Sequence, residues 1–150
     1  MEKLAKIDPP AYLFACLVIS IVLVLIFPSL KVIHSPYTYF GIPLIIFGLW
    51  LTFWIDWLLK KEKTTVKPWG KPTILITDGI FRLSRHPMYL GFVFWLLGLA
   101  ILLGNLMAFF SPLAMFLIFE KVFIPYEEKN LEKTFGEKYR NYKKQVRKWL

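Results

Sequence analysis

The chain alternates long apolar blocks with short polar breaks, and the lengths of the blocks predict the architecture. A helix rises about 1.5 Å per residue and needs roughly 17 to 25 residues to cross a hydrocarbon core of about 30 Å. Four blocks meet that length, predicting spans at 11–30, 39–59, 87–103 and 106–124, the third being the shortest. Gly104-Asn105 separates the last two as a tight turn, so that pair reads as a hairpin whose ends return to one membrane face. The connection 60–86 is broken by Pro68, Gly70, Pro72 and Gly79 and predicts an ordered loop with little regular structure. After Pro125 the period changes. Leu131, Phe135, Tyr139, Tyr142, Val146 and Trp149 recur at helical spacing among Lys and Glu, predicting an amphipathic segment over 126–150 with a bend at Gly136. The fold class is therefore all-α integral membrane, as a single domain of about four transmembrane helices with a C-terminal interfacial segment.

Composition sharpens that picture. With 57% hydrophobic residues in 150 and a mean hydropathy of +0.52, the chain is too apolar for an ordinary soluble domain. The start, Met1 to Lys6, resembles a charged signal-peptide head, but the apolar block after it is long and has no convincing cleavage site, so a retained helix is expected. The net charge of +9 borders the spans instead of forming a separate basic domain, which favours lipid head groups over nucleic acid. Seven basic residues fall in 60–86 and eight after Ile124, whereas the Gly104-Asn105 turn has none. By the positive-inside rule both termini and the long loop are then cytoplasmic in a multi-pass protein of the cell membrane. Cys16 lies within the first block and reads as a small packing residue. No metal-ligand spacing, nucleotide-binding glycine loop or serine elbow occurs, so no metal is expected.

Candidate chemistry gathers where the hairpin ends. If the hairpin is symmetric about its turn, His86 is level with Phe123, Tyr89 with Glu120, and Glu127 with Arg82. Arg85 and His86 precede Pro87, which suits the first turn of a helix. They are either interfacial residues or, with the helix N-terminus, an anion-capturing cap. Tyr89 reads as an aromatic-belt residue or a site residue, and Gly91 as a point of close approach for a backbone or a ligand. Glu127 and Glu128 are either a solvated acidic pair or carboxylates facing that cluster. Glu120 and Asp56 sit one turn inside the apolar blocks, near the interface or facing a polar cavity. The residues alone thus predict a polar cleft for a charged or zwitterionic ligand beside lipid. The tail either closes that cleft or anchors the chain to the membrane surface.

Several of these residues form an ordered set: Thr64-Thr65-Val66-x-Pro68, then Leu75-Ile76-Thr77-Asp78-Gly79-Ile80-Phe81-Arg82, then Arg85-His86-Pro87-Met88-Tyr89-Leu90-Gly91, then Glu127-Glu128, and Phe135-Gly136-x-x-Tyr139-x-x-Tyr142. The set resembles the isoprenylcysteine carboxyl methyltransferase and phospholipid methyltransferase superfamily, in its prokaryotic branch, and spans more than half the chain. The resemblance implies methyl transfer from S-adenosylmethionine, with S-adenosylhomocysteine as product, to a lipophilic or lipid-linked acceptor. It implies His86, Tyr89, Gly91, Glu127 and Glu128 as cofactor residues, and Arg85 as a contact to substrate or transition state. Glu120 or Tyr89 would serve as a base if the acceptor is an amine or thiol. The approach to the Glu pair is Val122-Phe123-Ile124-Pro125-Tyr126, without the arginines expected of eukaryotic prenylcysteine enzymes. A four-helix transporter using Glu120 as its coupling acid, and a nicotinamide-dependent sterol-type reductase, are the competing readings.

Overall fold

The computed structural model describes residues 8–65, 69–70 and 72–150. Val66, Pro68 and the Met1 to Lys6 head therefore lie outside the described residues. Helix α1, Pro9–Ile26, begins with two prolines in its first turn, where missing amides cost no intrahelical bond. It stops short of the expected residue 30 because Pro28 cannot continue it. A 3₁₀ turn, Tyr37–Phe40, leads into α2, Gly41–Lys61, and α3 covers Pro87–Leu103. Gly104 caps α3 with φ +67°, in the left-handed region that favours glycine.

The last span departs from expectation. A 3₁₀ turn at Leu106–Phe109, helix α4 at Phe110–Ile118, a π turn at Phe119–Phe123 and helix α5 at Ile124–Phe135 run on as one continuous helical stretch, Leu106–Phe135. Pro125 was expected to mark the change to a separate tail, yet it falls in the first turn after the register change, where it is tolerated. The tail segment breaks at Gly136 (φ +53°), where the bend was expected, and this separates α5 from α6, Glu137–Gln145. Val146 is already extended, so Trp149 lies beyond the helix.

Three stretches, Pro9–Ile26, Tyr37–Lys61 and Leu106–Phe135, are long and apolar enough to cross a membrane, and Pro87–Leu103 is a shorter apolar helix. Phe14, Leu25, Phe40 and Phe53 are each about two-thirds or more exposed. So many large exposed apolar side chains on helices suit lipid, not water. The protein is an integral membrane protein, all-helical among its described residues.

Packing brings α2 and α3 together backbone to backbone. A Cβ on Gly48 would stand 2.6 Å from the Gly91 carbonyl oxygen, and one on Gly91 2.5 Å from Thr52 Oγ1. Gly41 and Gly98 repeat this contact lower down, where a Cβ on Gly98 would meet the Gly41 oxygen at 2.6 Å. Small residues at a membrane helix pair allow this approach. Helix α1 leans on the fourth span, with Ser20 Oγ donating to the Ala108 carbonyl at 3.1 Å. At the far face the connections converge on Asn105, whose Nδ2 donates to the Phe27 carbonyl and whose Oδ1 accepts from the Met107 amide, both at 2.9 Å. The core between α1, α3 and the fourth span is built from Leu13, Cys16, Tyr89, Leu96, Met115, Phe119, Phe123 and Ile124.

Candidate active site

At the opposite face the start of α3 meets the tail. Arg85 donates its backbone N–H to the Arg147 carbonyl at 3.1 Å, while Ser84 Oγ donates to the Lys148 carbonyl and accepts from the His86 amide, both at 3.2 Å. The Arg85 guanidinium donates to the carbonyls of Lys143 and Val146, each at 2.9 Å, and to Glu128 Oε1 at 2.5 Å. Both partners of that ion pair are over nine-tenths buried. Glu128 also takes Lys143 Nζ at 2.8 Å and lies 3.4 Å from His86 Nε2. His86 Nδ1 stands 3.5 Å from Glu127 Oε2.

This pairing is about a turn away from the symmetric hairpin. His86 faces Glu127 and Glu128, not Phe123, because the fourth span continues as helix past Ile124 and its π turn changes the register. The Tyr89 ring stacks on Phe119 (centroids 4.3 Å, planes 17° apart) and beneath His86 (5.7 Å, 12°). Burial alone pushes the His86 imidazole down, but the facing Glu127 and Glu128 carboxylates, by contact and by charge, hold it above its ordinary 6.5. The structure thus gathers Arg85, His86, Tyr89, Glu127 and Glu128.

Two sequence candidates are elsewhere. Gly91 faces Thr52 and Gly48 in the α2–α3 contact. Glu120 points to the tail, accepting from Lys148 Nζ at 2.7 Å and Trp149 Nε1 at 2.9 Å, while Trp149 packs on Phe116. Asp56, on α2, pairs with Lys60 at 2.6 Å.

A cleft opens between the loop, α3 and α5. Its walls include Thr64, Thr65, Gly70, Ile74, Leu75, Phe81, Arg85, His86, Met88, Tyr89, Glu127, Asn130 and Leu131. Glu127 Oε2 and Arg85 Nε are buried there without a hydrogen-bond partner among the described residues. Buried polar atoms that lack a hydrogen bond call for a ligand or water, although Glu127 Oε2 also faces His86 Nδ1 at 3.5 Å. A second, mainly apolar groove lies between α1, α2 and α3, walled by Leu13, Leu49, Phe53, Phe92 and Trp95, with Asp8, Asp56 and Lys60 also lining it. The cleft and the groove share Thr65, Met88 and Tyr89.

The tail packs against the loop and α5, the elements that wall the cleft. Tyr139, Tyr142 and Val146 pack with Leu75 and Phe81 of the loop and with Leu131 and Phe135 of α5, and Tyr142 Oη donates to the Phe81 carbonyl at 2.6 Å. Burial pushes the Tyr142 phenol up to about 12 and raises that of Tyr139 as well. Asn130 also lines the cleft, with no motif in the sequence to mark it. It lies one turn from Glu127, and continuing the helical period through Pro125 would have found it.

Residues 36–138 match the family model described as phospholipid methyltransferase. The chain belongs to this family. Within the wider superfamily, it is 44% identical over 80 residues to the protein-S-isoprenylcysteine O-methyltransferase of Schizosaccharomyces pombe, covering 51% of this chain and 33% of that one. It is 40% identical over 79 residues to a probable protein-S-isoprenylcysteine O-methyltransferase of Oryza sativa subsp. japonica, covering 51% and 40%. The fold is similar to the structure of the eukaryotic intramembrane Ras methyltransferase ICMT (isoprenylcysteine carboxyl methyltransferase), with a TM-score of 0.69 and 27% identity, covering 94% of this chain and 51% of that one. Our phospholipid methyltransferase family member spans about a third to a half of the length of these relatives. The superfamily resemblance read from the motifs and the all-helical membrane fold expected from the apolar blocks are both borne out.

Proposed function

We propose that this chain transfers a methyl group from S-adenosylmethionine to a lipophilic acceptor held in the bilayer, working as a single domain from the cytoplasmic side. The observation that carries the reading is the junction: a cleft that holds Arg85, His86 and Glu127 and a mainly apolar groove meet at Thr65, Met88 and Tyr89. A water-soluble donor and a lipid-borne acceptor need adjoining sites of this kind.

The residues present fit the cofactor. Glu127 Oε2, which makes no hydrogen bond among the described residues and lies 3.5 Å from His86 Nδ1, is suited to an ammonium or ribose hydroxyl. The first-turn amides of α3, ahead of the first helical bond from the Leu90 amide to the His86 carbonyl, suit a carboxylate. Bound there, S-adenosylmethionine supplies an electrophilic methyl group on sulfonium.

The chain's own residues then position and exclude water. Tyr89, stacked between His86 and Phe119, forms the wall at the junction. Arg85 acts as a positioning residue: its guanidinium fixes Glu128 and the tail, and Glu128 in turn faces His86. Glu120 fixes the end of the tail through Lys148 and Trp149. The apolar walls of the groove hold the acceptor's chain and keep water from its nucleophile, and orientation of this sort supplies much of the rate of a displacement reaction. The relatives' names favour a carboxylate acceptor on a prenylated cysteine, and the family's name favours a phospholipid.

The test is transfer of label from methyl-labelled S-adenosylmethionine by the purified full chain in nanodiscs, offered S-farnesyl-N-acetylcysteine and phosphatidylethanolamine in turn. Label in the organic extract, lost in Glu127→Gln, is the expected result. A folded protein that binds S-adenosylhomocysteine yet labels neither acceptor would overturn the acceptor class.

A further inference from the structure

The outward face of the fourth span changes character along a single line. Leu113 and Leu117 are exposed, and at four-residue spacing below them follow Lys121, Pro125, Lys129 and Lys133, all exposed. On this face, away from the cleft, a third concavity lies between α5 and the tail, walled by Ile124, Pro125, Lys129, Lys133, Lys143 and Lys148 with Glu128 and Glu132. Its acids are already engaged. Glu128 holds Arg85 and Lys143, and Glu132 lies 3.9 Å from Arg140. Lys148 is paired with Glu120. Lys129 and Lys133 have no ion pair among the described residues, so the concavity offers two uncompensated ammonium groups one helical turn apart.

We propose that this concavity binds the phosphate of an anionic phospholipid, whose acyl chains lie along Leu117 and Leu113. The depth argues for a lipid in place of a free anion. The basic groove starts where the apolar stripe ends, which is the depth of a head group, and a chain attached to the bound phosphate would lie against exposed apolar side chains. Charge complementarity supplies the attraction, since each basic residue near an anionic leaflet strengthens it several-fold. The site stands independently of the methyl-transfer reading.

The test uses the full chain, purified in detergent and exposed to equal amounts of phosphatidylglycerol and phosphatidylcholine with the same acyl chains. Retained lipid is counted by native mass spectrometry. Wild type should retain phosphatidylglycerol selectively, and K129Q/K133Q should lose that preference by about thirtyfold. The control K138Q/K144Q removes two exposed tail lysines outside the concavity and should change it less than threefold. Equal losses in the two double variants would mean a diffuse field without a site, and would overturn the proposal. Inorganic phosphate at millimolar concentration should leave the bound lipid in place; if it displaces the lipid fully, the site takes free anions and the lipid assignment is wrong.

Discussion

Arg85 and Glu128, 43 positions apart in the chain, form a buried ion pair at 2.5 Å that ties the start of α3 to α5 and, through two further carbonyls, to the tail. Removing one partner of such a pair strands the other charge, at a cost of about 3 to 5 kcal/mol. Arg85→Ala should therefore lower the unfolding free energy by that order in a detergent titration. Arg85→Lys should recover little of it, because one ammonium cannot reproduce a planar fork serving a carboxylate and two carbonyls. Full rescue by lysine would show that charge alone matters there.

His86 sets a pH dependence of definite sign. Its folded pKa lies above the unfolded 6.5, so its contribution to stability is complete below 6.5 and is lost as pH rises through the higher folded value. Thermal unfolding of the wild type should show Tm falling through that interval, and His86→Gln should flatten that part of the profile. A wild-type Tm that rises there, or parallel profiles, would refute the assignment.

Gly91 separates a packing role from a cofactor role. A methyl group at this position meets Thr52 and the Gly48 carbonyl, so Gly91→Ala should destabilise by about 1 to 3 kcal/mol through overpacking. The folded variant should bind S-adenosylhomocysteine within about threefold of wild type. A large affinity loss without loss of stability would instead place Gly91 in the cleft.

The tail offers a third contrast. A chain ending after Lys133 keeps the four apolar helices and both glutamates of the pair, but loses the carbonyls that Arg85 holds and the Tyr139–Tyr142 cluster over the loop. It should bind S-adenosylhomocysteine at least tenfold more weakly than the full chain. Unchanged affinity would make the tail a membrane anchor and nothing more.

Much of this arrangement was legible because apolar length and punctuation are local signals. Pro87 and Gly104 mark both ends of α3 at the expected residues. The Arg-His pair and the Glu pair could be brought together by counting outward from Gly104-Asn105. The exact register could not, since a π turn at Phe119–Phe123 leaves no compositional trace and shifts every later side chain. Pro125 misled for a related reason: proline stops a regular helix but is accommodated where a register changes. Glu120 looked like a membrane-embedded acid with chemistry to do, and only the path of the tail reveals Lys148 and Trp149 as its partners. Gly91 belonged to the motif, yet its neighbours come from α2, thirty-nine or more positions earlier in the chain, and no spacing rule reports that contact.

If Glu127 and its neighbours form a cofactor cleft, loss of the Glu127 charge must weaken cofactor binding. Isothermal titration of S-adenosylhomocysteine into the purified full chain and into Glu127→Gln tests it most directly. Wild type should bind saturably, and the variant should lose about ten- to a hundredfold in affinity, the worth of a charge-assisted hydrogen bond. Equal binding by the two proteins, or none by folded wild type, would contradict the cofactor cleft.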